Sequence, residues 1–334
     1  MTEHLLDDLG WWARTEWRVG RAMVGTAYWR AFDKFDEMRG LPRLCAEYTK
    51  VHGNAPDLDL PKTFSEKIQW RKINDRREIL RRFSDKARFR RWVNEHLGEA
   101  EARRLLVPAL FEVSRAEDIP FGTLPDCYVI KVSHGSGFNL FVRGRDLPPQ
   151  RNILRHVRVM QAREFGRMRH EWAYGRQKPT IIGEPMLGVG DGAAPGDLKF
   201  HMFDGRCVTI QANTYEGSGS FATPDIDYRM FMSPQWEVMD IRRDAPSGTP
   251  PPRPERLEEM LDVAERLSAG LDFIRVDFLT FGACFYLGEM TVYPSSGLVR
   301  LAPEGADAWL GSFWTLPEPD EACAPPPAQV RVAS

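Results

Sequence analysis

The chain has 334 residues, 43% of them hydrophobic and 28% charged, with a formal net charge of -2. Those values suit a globular protein of about two domains with a real core, and they exclude a polyanion binder that works by bulk charge. No run of eighteen apolar residues suggests a membrane span, and the N-terminus lacks a basic-then-apolar signal pattern. The five cysteines (45, 127, 207, 284 and 323) have neither zinc-ligand nor redox spacing, which points to a reducing cytoplasm.

Taken in chain order, residues 1 to about 50 read as helical. Trp11, Trp12, Trp17 and Trp29 interleave with Arg14, Arg18, Arg21 and Arg30, a composition that suits either packing on the main body or peripheral contact with the inner face of a membrane. A loop at 54–61 leads to a helix from Thr63, with Glu66 completing a capping box. Ser84-Asp85-Lys86 opens a second helix, which Gly98 ends. Between Lys67 and Arg104 stand thirteen Lys/Arg against six Asp/Glu, a stretch able to face phosphates or to form ordinary solvated helix faces. Strands are expected at about 127–133 and 138–142, a basic helix from Pro149 to about Gly166, and a short strand at Thr180–Gly183. A hairpin turns at Asp204-Gly205. After a proline-rich linker at 246–254, a helix with Leu257, Met260, Leu261, Ala264 and Leu267 on one stripe stops at Gly270. Strands follow at about 272–280 and 284–290, then a proline-rich tail expected to be disordered.

Residues 129–139 read VIKVSHGSGFN. Lys131 lies in an apolar run and needs an anionic partner to offset its desolvation. His134, Gly135, Ser136 and Gly137 form a glycine-rich turn whose backbone can approach phosphate oxygens, and Phe138 can cover a nucleotide. The alternative is a plain hairpin turn with its lysine in solvent. Lys86 is a second candidate cation. The strand that ends in Glu184 and continues to Met186 makes a candidate adenine hinge, the glutamate taking the exocyclic amine. Further on, Arg275 and Asp277 share one strand face and Glu289 and Thr291 another. Paired opposite each other, the two carboxylates can hold magnesium between ATP phosphates. That register requires an odd-numbered turn between the strands, and a one-residue slip would part the acids.

The order of these elements resembles the ATP-grasp superfamily, and within it the teichuronopeptide-biosynthesis (TupA-like) branch. The resemblance is carried by PKTFSEKIQW (61–70), SDK (84–86), KVSHGSG (131–137), DLKF (197–200), FDG (203–205) and GEMTVYPSSG (288–297), and covers about residues 61–314. It implies an α+β ATP-grasp fold with two lobes clasping ATP. The expected parts are an N-terminal helical extension (1–60), a helical region (61–126), a small lobe with the glycine loop and hinge (127–187), a large lobe with the metal site (188–315) and a tail (316–334). It also implies ATP and Mg2+ as cofactors. Lys86, Lys131, His134, Gly135, Ser136, Gly137, Glu184 and Met186 would bind the nucleotide. Asp277, Glu289 and Thr291 would hold the metal, with Thr291 standing where the superfamily usually has asparagine. Lys199 would be a further cation on the phosphates, and Arg275 would stabilise developing negative charge. Ser295, Ser296 and Gly297 could hold an acceptor carboxylate or phosphate, although related branch members tend to have glycine at Ser295. His134 and His201 are read first as structural.

The leading expectation is a ligase that joins a carboxylate to an amine through an acylphosphate, in cell-surface polysaccharide or peptidyl-glycan assembly. A kinase acting on a sugar hydroxyl is the second reading. A non-catalytic nucleotide- or nucleic-acid-binding protein is the third, nucleic acid being the last-ranked partner.

Overall fold

The computed structural model describes residues 41–144, 149–175, 178–187, 196–214, 228–243, 249–281 and 284–318. The expected helix before residue 41, part of the linker (246–248) and the tail from 319 lie outside the described residues.

Helix α1 (Pro42–His52) leads to α2 (Phe64–Asn74), which begins as its capping box predicts. The Thr63 hydroxyl accepts from the Glu66 amide at 3.1 Å, and the Glu66 carboxylate accepts from the Thr63 amide at 3.0 Å. Such caps contribute about 1 kcal/mol. Then come α3 (Glu78–Phe83), α4 (Lys86–Leu97) and α5 (Glu99–Leu105). The first sheet has order β1-β4-β2-β3, all antiparallel, from β1 (Phe111–Val113), β2 (Cys127–Val132), β3 (Asn139–Arg143) and β4 (Ile181–Pro185). Helix α6 (Gln150–Ala162) stops four residues short of Gly166, and its Ile153, Val157 and Met160 join Ile130, Val132 and Val142 in a small core.

The second sheet has order β7-β6-β5-β8-β9, from β5 (Gly196–Phe203), β6 (Arg206–Thr214), β7 (Tyr228–Met232), β8 (Phe273–Phe281) and β9 (Cys284–Thr291). One face carries Leu198, Phe200, Met202, Ile274, Val276 and Phe278. Helix α7 (Leu257–Ser268) packs across it through Leu257, Met260, Ala264 and Leu267 of the predicted stripe, with Val263 buried beside them where Leu261 was expected and Leu261 only partly buried. Each larger apolar side chain contributes about 1.5–3 kcal/mol there. Phe64, Ile68, Leu80, Phe83, Phe89 and Val93 share this core, so α2–α4 are part of the larger sheet's packing. Helix α8 (Ala306–Ser312) closes it beside Trp314.

One open alternative is narrowed and one expectation needs correction. The basic stretch between Lys67 and Arg104 is answered by acids within it and by others from elsewhere in the chain, in keeping with ordinary helix faces. Arg77 pairs with Asp75 and Asp272, Arg82 with Glu95, Arg88 with Glu78, and Arg90 with Glu112 and Glu184. Arg76 and Arg81 lie over the Trp172 ring, at 5.2 and 4.9 Å. Asp277 does face Glu289, but not through an odd-numbered turn. Phe281 pairs with Cys284 across two residues, and the register then shifts so that Phe278 faces Leu287 while Asp277 faces Glu289. The extra residue is Gly288, where an added Cβ would sit 3.3 Å from the Asp277 carbonyl. A bulge has done what the turn length was expected to do.

Candidate functional site

The N-terminus of α4 and the glycine loop are built as one unit. Asp85 caps the helix by accepting from the Arg88 amide at 2.9 Å, and its other oxygen accepts from the Ser133 hydroxyl at 2.5 Å. The Lys86 amide donates to the Ser133 carbonyl at 2.9 Å, and Lys86 Nζ donates to the Gly135 carbonyl at 2.6 Å. Burial holds the Lys86 ammonium below its ordinary pKa, as does Lys131 close by. Glu289 of the larger sheet, then Asp85 and Glu184, work against that shift. Lys86 therefore stands where the two sheets meet.

Lys131 Nζ forms a 2.5 Å ion pair with Glu184, which also takes Arg90 at 3.3 Å. The expected hinge glutamate is thus bonded to two cations, and the Met186 amide donates to the Cys127 carbonyl at 3.3 Å. Gly135 and Gly137 have φ of +89° and +74°, as a phosphate-cradling turn requires. A Cβ on Gly135 would come within 2.7 Å of Phe165. Phe138 does not cover a nucleotide: it is buried in the small core, edge-on to His134 and Phe165. His134 is also structural, its Nε2 bonded to the Arg163 carbonyl at 2.8 Å and its pKa pushed down by burial.

The open face of the larger sheet carries a continuous polar network. Strand register puts Lys199 opposite Asp277, Asp277 opposite Glu289, and Arg275 opposite Thr291. Arg275 grips Asp277 with two bonds, Nε at 2.7 Å and Nη2 at 2.6 Å, and Nη2 also donates to the Thr291 hydroxyl at 3.0 Å. That hydroxyl donates to Glu289 at 3.1 Å. Lys199 bridges Asp277 at 3.0 Å and Asp197 at 2.8 Å, and Asn213 donates to Asp197 at 2.8 Å. Burial opposes charge on Lys199, Arg275 and Glu289, but their partners override it. Asp277 lifts the Lys199 pKa, and Lys86, Arg275 and Lys199 hold the Glu289 carboxyl below the usual range. His201, on the same face, is pushed down to about 3 by burial and by Arg275, and so stays neutral.

Part of this network lines a cleft of about 380 Å³. Ser136 of the glycine loop, Lys199, Arg275, Glu289 and Thr291 reach it, and so do Ser295 and Ser296. Asp197, Asn213 and Arg229 also line it and were missed in the sequence, although Asp197 stands two residues before Lys199 and shares its face. Arg169, Glu171 and Tyr174 reach the cleft from a segment with no periodic signal.

The segment after β9 is strained: Ser295, Ser296 and Gly297 have φ of +49°, +61° and +64°. Left-handed backbone at a non-glycine residue costs about 1–3 kcal/mol and persists only when its surroundings enforce it. Helix α2 does so here. The Ser296 carbonyl accepts from Gln69 Nε2 at 2.9 Å and from the buried Lys72 at 2.7 Å, while Arg243 donates to the Ser295 hydroxyl at 3.0 Å. A Cβ on Gly297 would meet Gln69 Nε2 at 2.5 Å and the Ser65 carbonyl at 2.9 Å. Gly297→Ala is expected to destabilise the protein by about 1–3 kcal/mol, read from urea unfolding.

Magnesium binds through one or two carboxylates, with phosphate and water oxygens completing its shell. Asp277 beside Glu289 fits that pattern. Asp277 is committed to two cations, so Glu289, whose side chain is 39% exposed, is the more open ligand. Among the described residues no group of three His, Cys, Asp or Glu could hold a metal.

A family model described as TupA-like ATPgrasp matches residues 66–315. No curated protein matches the chain. Among solved structures, D-cycloserine synthetase DcsG is 15% identical, with 70% of each chain covered and a TM-score of 0.41. D-alanine–D-alanine ligase from Bacillus anthracis is 16% identical over 63% of this chain and 56% of that one, with a TM-score of 0.35. L-amino acid ligase from Bacillus licheniformis is 15% identical over 65% of this chain and 42% of that one, with a TM-score of 0.38. The chain thus spans about half the length of these two ligases. Among the described residues no helix is long and apolar enough to cross a membrane.

Proposed function

The chain belongs to the TupA-like ATPgrasp family, and on that premise we propose that it is an ATP- and magnesium-dependent carboxylate–amine ligase acting in cell-surface polysaccharide or peptidyl-glycan assembly. The observation that carries this reading is that Lys86, beside the glycine loop and close to Lys131, lies within electrostatic reach of Glu289 of the larger sheet, opposite which Asp277 stands. Cations for a triphosphate and a carboxylate for its metal would then stand at the border of the cleft that Ser136, Lys199, Arg275 and Glu289 line.

In this reading a substrate carboxylate oxygen attacks the γ-phosphorus of ATP. The bond to the β-phosphate oxygen breaks, ADP leaves and an acylphosphate remains. Magnesium held by Asp277 and Glu289, with Thr291 beside them, would supply charge neutralisation at the phosphates. Lys86 and Lys131 orient the nucleotide, with Glu184 fixing Lys131. Lys199 and Arg275 face the negative charge that develops, and as preorganised donors they need no rearrangement during reaction. An amine then attacks the acyl carbon and phosphate leaves.

The test is a product assay. Purified protein with ATP, magnesium, uronic acids and amino acids is expected to release phosphate only when carboxylate and amine are both present, with a product mass equal to their sum less one water. Phosphate appearing on a sugar hydroxyl, with none released, would replace the ligase by a kinase.

A further inference from the structure

Residues 163–175 join α6 to β4, and they put a carboxylate into the cleft that phosphoryl transfer does not use. Glu171 is 5% exposed and lines the cleft with Glu289, Thr291 and Ser295. Its position is enforced. The Glu171 amide donates to the Gly166 carbonyl at 2.9 Å, and Gly166, at φ +76°, lies so close that an added Cβ would meet the Glu171 Cβ at 2.9 Å. The next residue, Trp172, donates from Nε1 to the Asp75 carbonyl at 2.6 Å beneath Arg76 and Arg81.

A buried carboxylate needs a partner. Among the described residues Glu171 has no salt bridge, and the Ser296 side chain is its hydrogen-bonding neighbour. The cation it feels most is Lys72, whose Nζ is directed to the Ser296 carbonyl at 2.7 Å and Gln69 Oε1 at 2.9 Å. Arg169, Tyr174 and Tyr293 are the other ionisable groups around it. A group that would bond well to Glu171 is an ammonium arriving from the cleft.

We propose that Glu171 receives the amine substrate, binding it as an ammonium and taking one proton, while Arg169 two residues away takes a carboxylate of the same molecule, so that the nucleophile is an amino acid. The inference rests on the ligase reading. A proton passes from the ammonium to a Glu171 oxygen, and the freed lone pair forms the C–N bond at the acyl carbon of the acylphosphate. The bond from that carbon to the phosphate oxygen breaks, phosphate departs with its electrons, and it takes the second proton from nitrogen. Burial supports this role by raising the carboxyl's affinity for a proton, against the opposing fields of Lys72 and Arg169.

The experiment compares two nucleophiles on the full chain with ATP, magnesium and a panel of glucuronate, galacturonate and amino acids as carboxylates. Hydroxylamine is mostly neutral at pH 7 and needs no base, whereas an amino acid arrives protonated. In Glu171→Gln, amide formation is expected to fall about 100-fold, the scale of general-base catalysis, while hydroxamate formation falls no more than about threefold. Retained hydroxamate formation also shows that the variant is folded. Equal loss of both products would make Glu171 part of the frame and overturn the proposal, and so would unchanged amide formation. A wild-type protein that makes neither product with any carboxylate defeats the ligase reading itself, and this subsite with it.

Discussion

Glu289→Gln is expected to lower ATP-dependent product formation by about 100- to 1,000-fold, the scale on which losing a fixed group that balances transition-state charge is felt, with almost no change in stability. The substitution keeps the shape of the side chain and an oxygen to accept from Thr291, and it removes one negative charge from a position open to the cleft. Lys86, Arg275 and Lys199 then face the phosphates with one carboxylate fewer between them. The metal would be left with Asp277, which is already bonded to Arg275 and Lys199. The Glu289 side chain is 39% exposed and its ion pair with Arg275 is long, at 3.7 Å, and such pairs contribute about 0–1 kcal/mol. Steady-state release of ADP and phosphate, set beside a thermal melt of the same preparation, checks both halves. Full activity in this variant would remove Glu289 from the metal site.

The contrast between Glu289 and its neighbours shows what the sequence could convey. Side-chain alternation alone put Arg275 with Asp277 and Glu289 with Thr291, because residues two apart on a strand share a face. Asp204-Gly205 announced its hairpin, and the Thr63–Glu66 box announced α2, because both signals are local. The facing of Asp277 and Glu289 was expected on a turn of the wrong parity. The chain reaches it with a two-residue turn and one extra residue at Gly288, and two such changes of register cannot be separated by reading along the strand.

Other parts of the site depend on contacts that no local pattern encodes. Glu171 and Arg169 lie in a segment without periodicity, placed by Trp172 docking under arginines almost one hundred residues earlier. Those same arginines made the Lys67–Arg104 stretch look like a surface for polyanions, because a count along the chain omits Asp272, Glu112 and Glu184. Phe138 is another instance: beside a glycine loop an aromatic suggests a nucleotide lid, but the small sheet has few other residues with which to build a core.

Asp277→Asn is expected to behave unlike Glu289→Gln, because Asp277 supports the fold as well as standing at the proposed metal site. Its carboxylate is 4% exposed and neutralises two cations, Arg275 through two bonds of 2.7 and 2.6 Å and Lys199 at 3.0 Å. An asparagine offers one acceptor in place of two and turns an N–H toward a guanidinium. Removing one partner of a buried pair strands the other, at about 3–5 kcal/mol. At about 2–4 °C per kcal/mol, the melting midpoint should fall by roughly 6–20 °C. Activity should be lost as well. The double variant Arg275→Gln/Asp277→Asn separates the two roles. It removes the stranded charge together with its partner, so part of the lost stability should return while activity stays absent. Calorimetry on the wild type, both single variants and the double variant gives the coupling directly. Additive losses would mean that Arg275 and Asp277 do not act as a pair, and the network across the larger sheet would then need another basis.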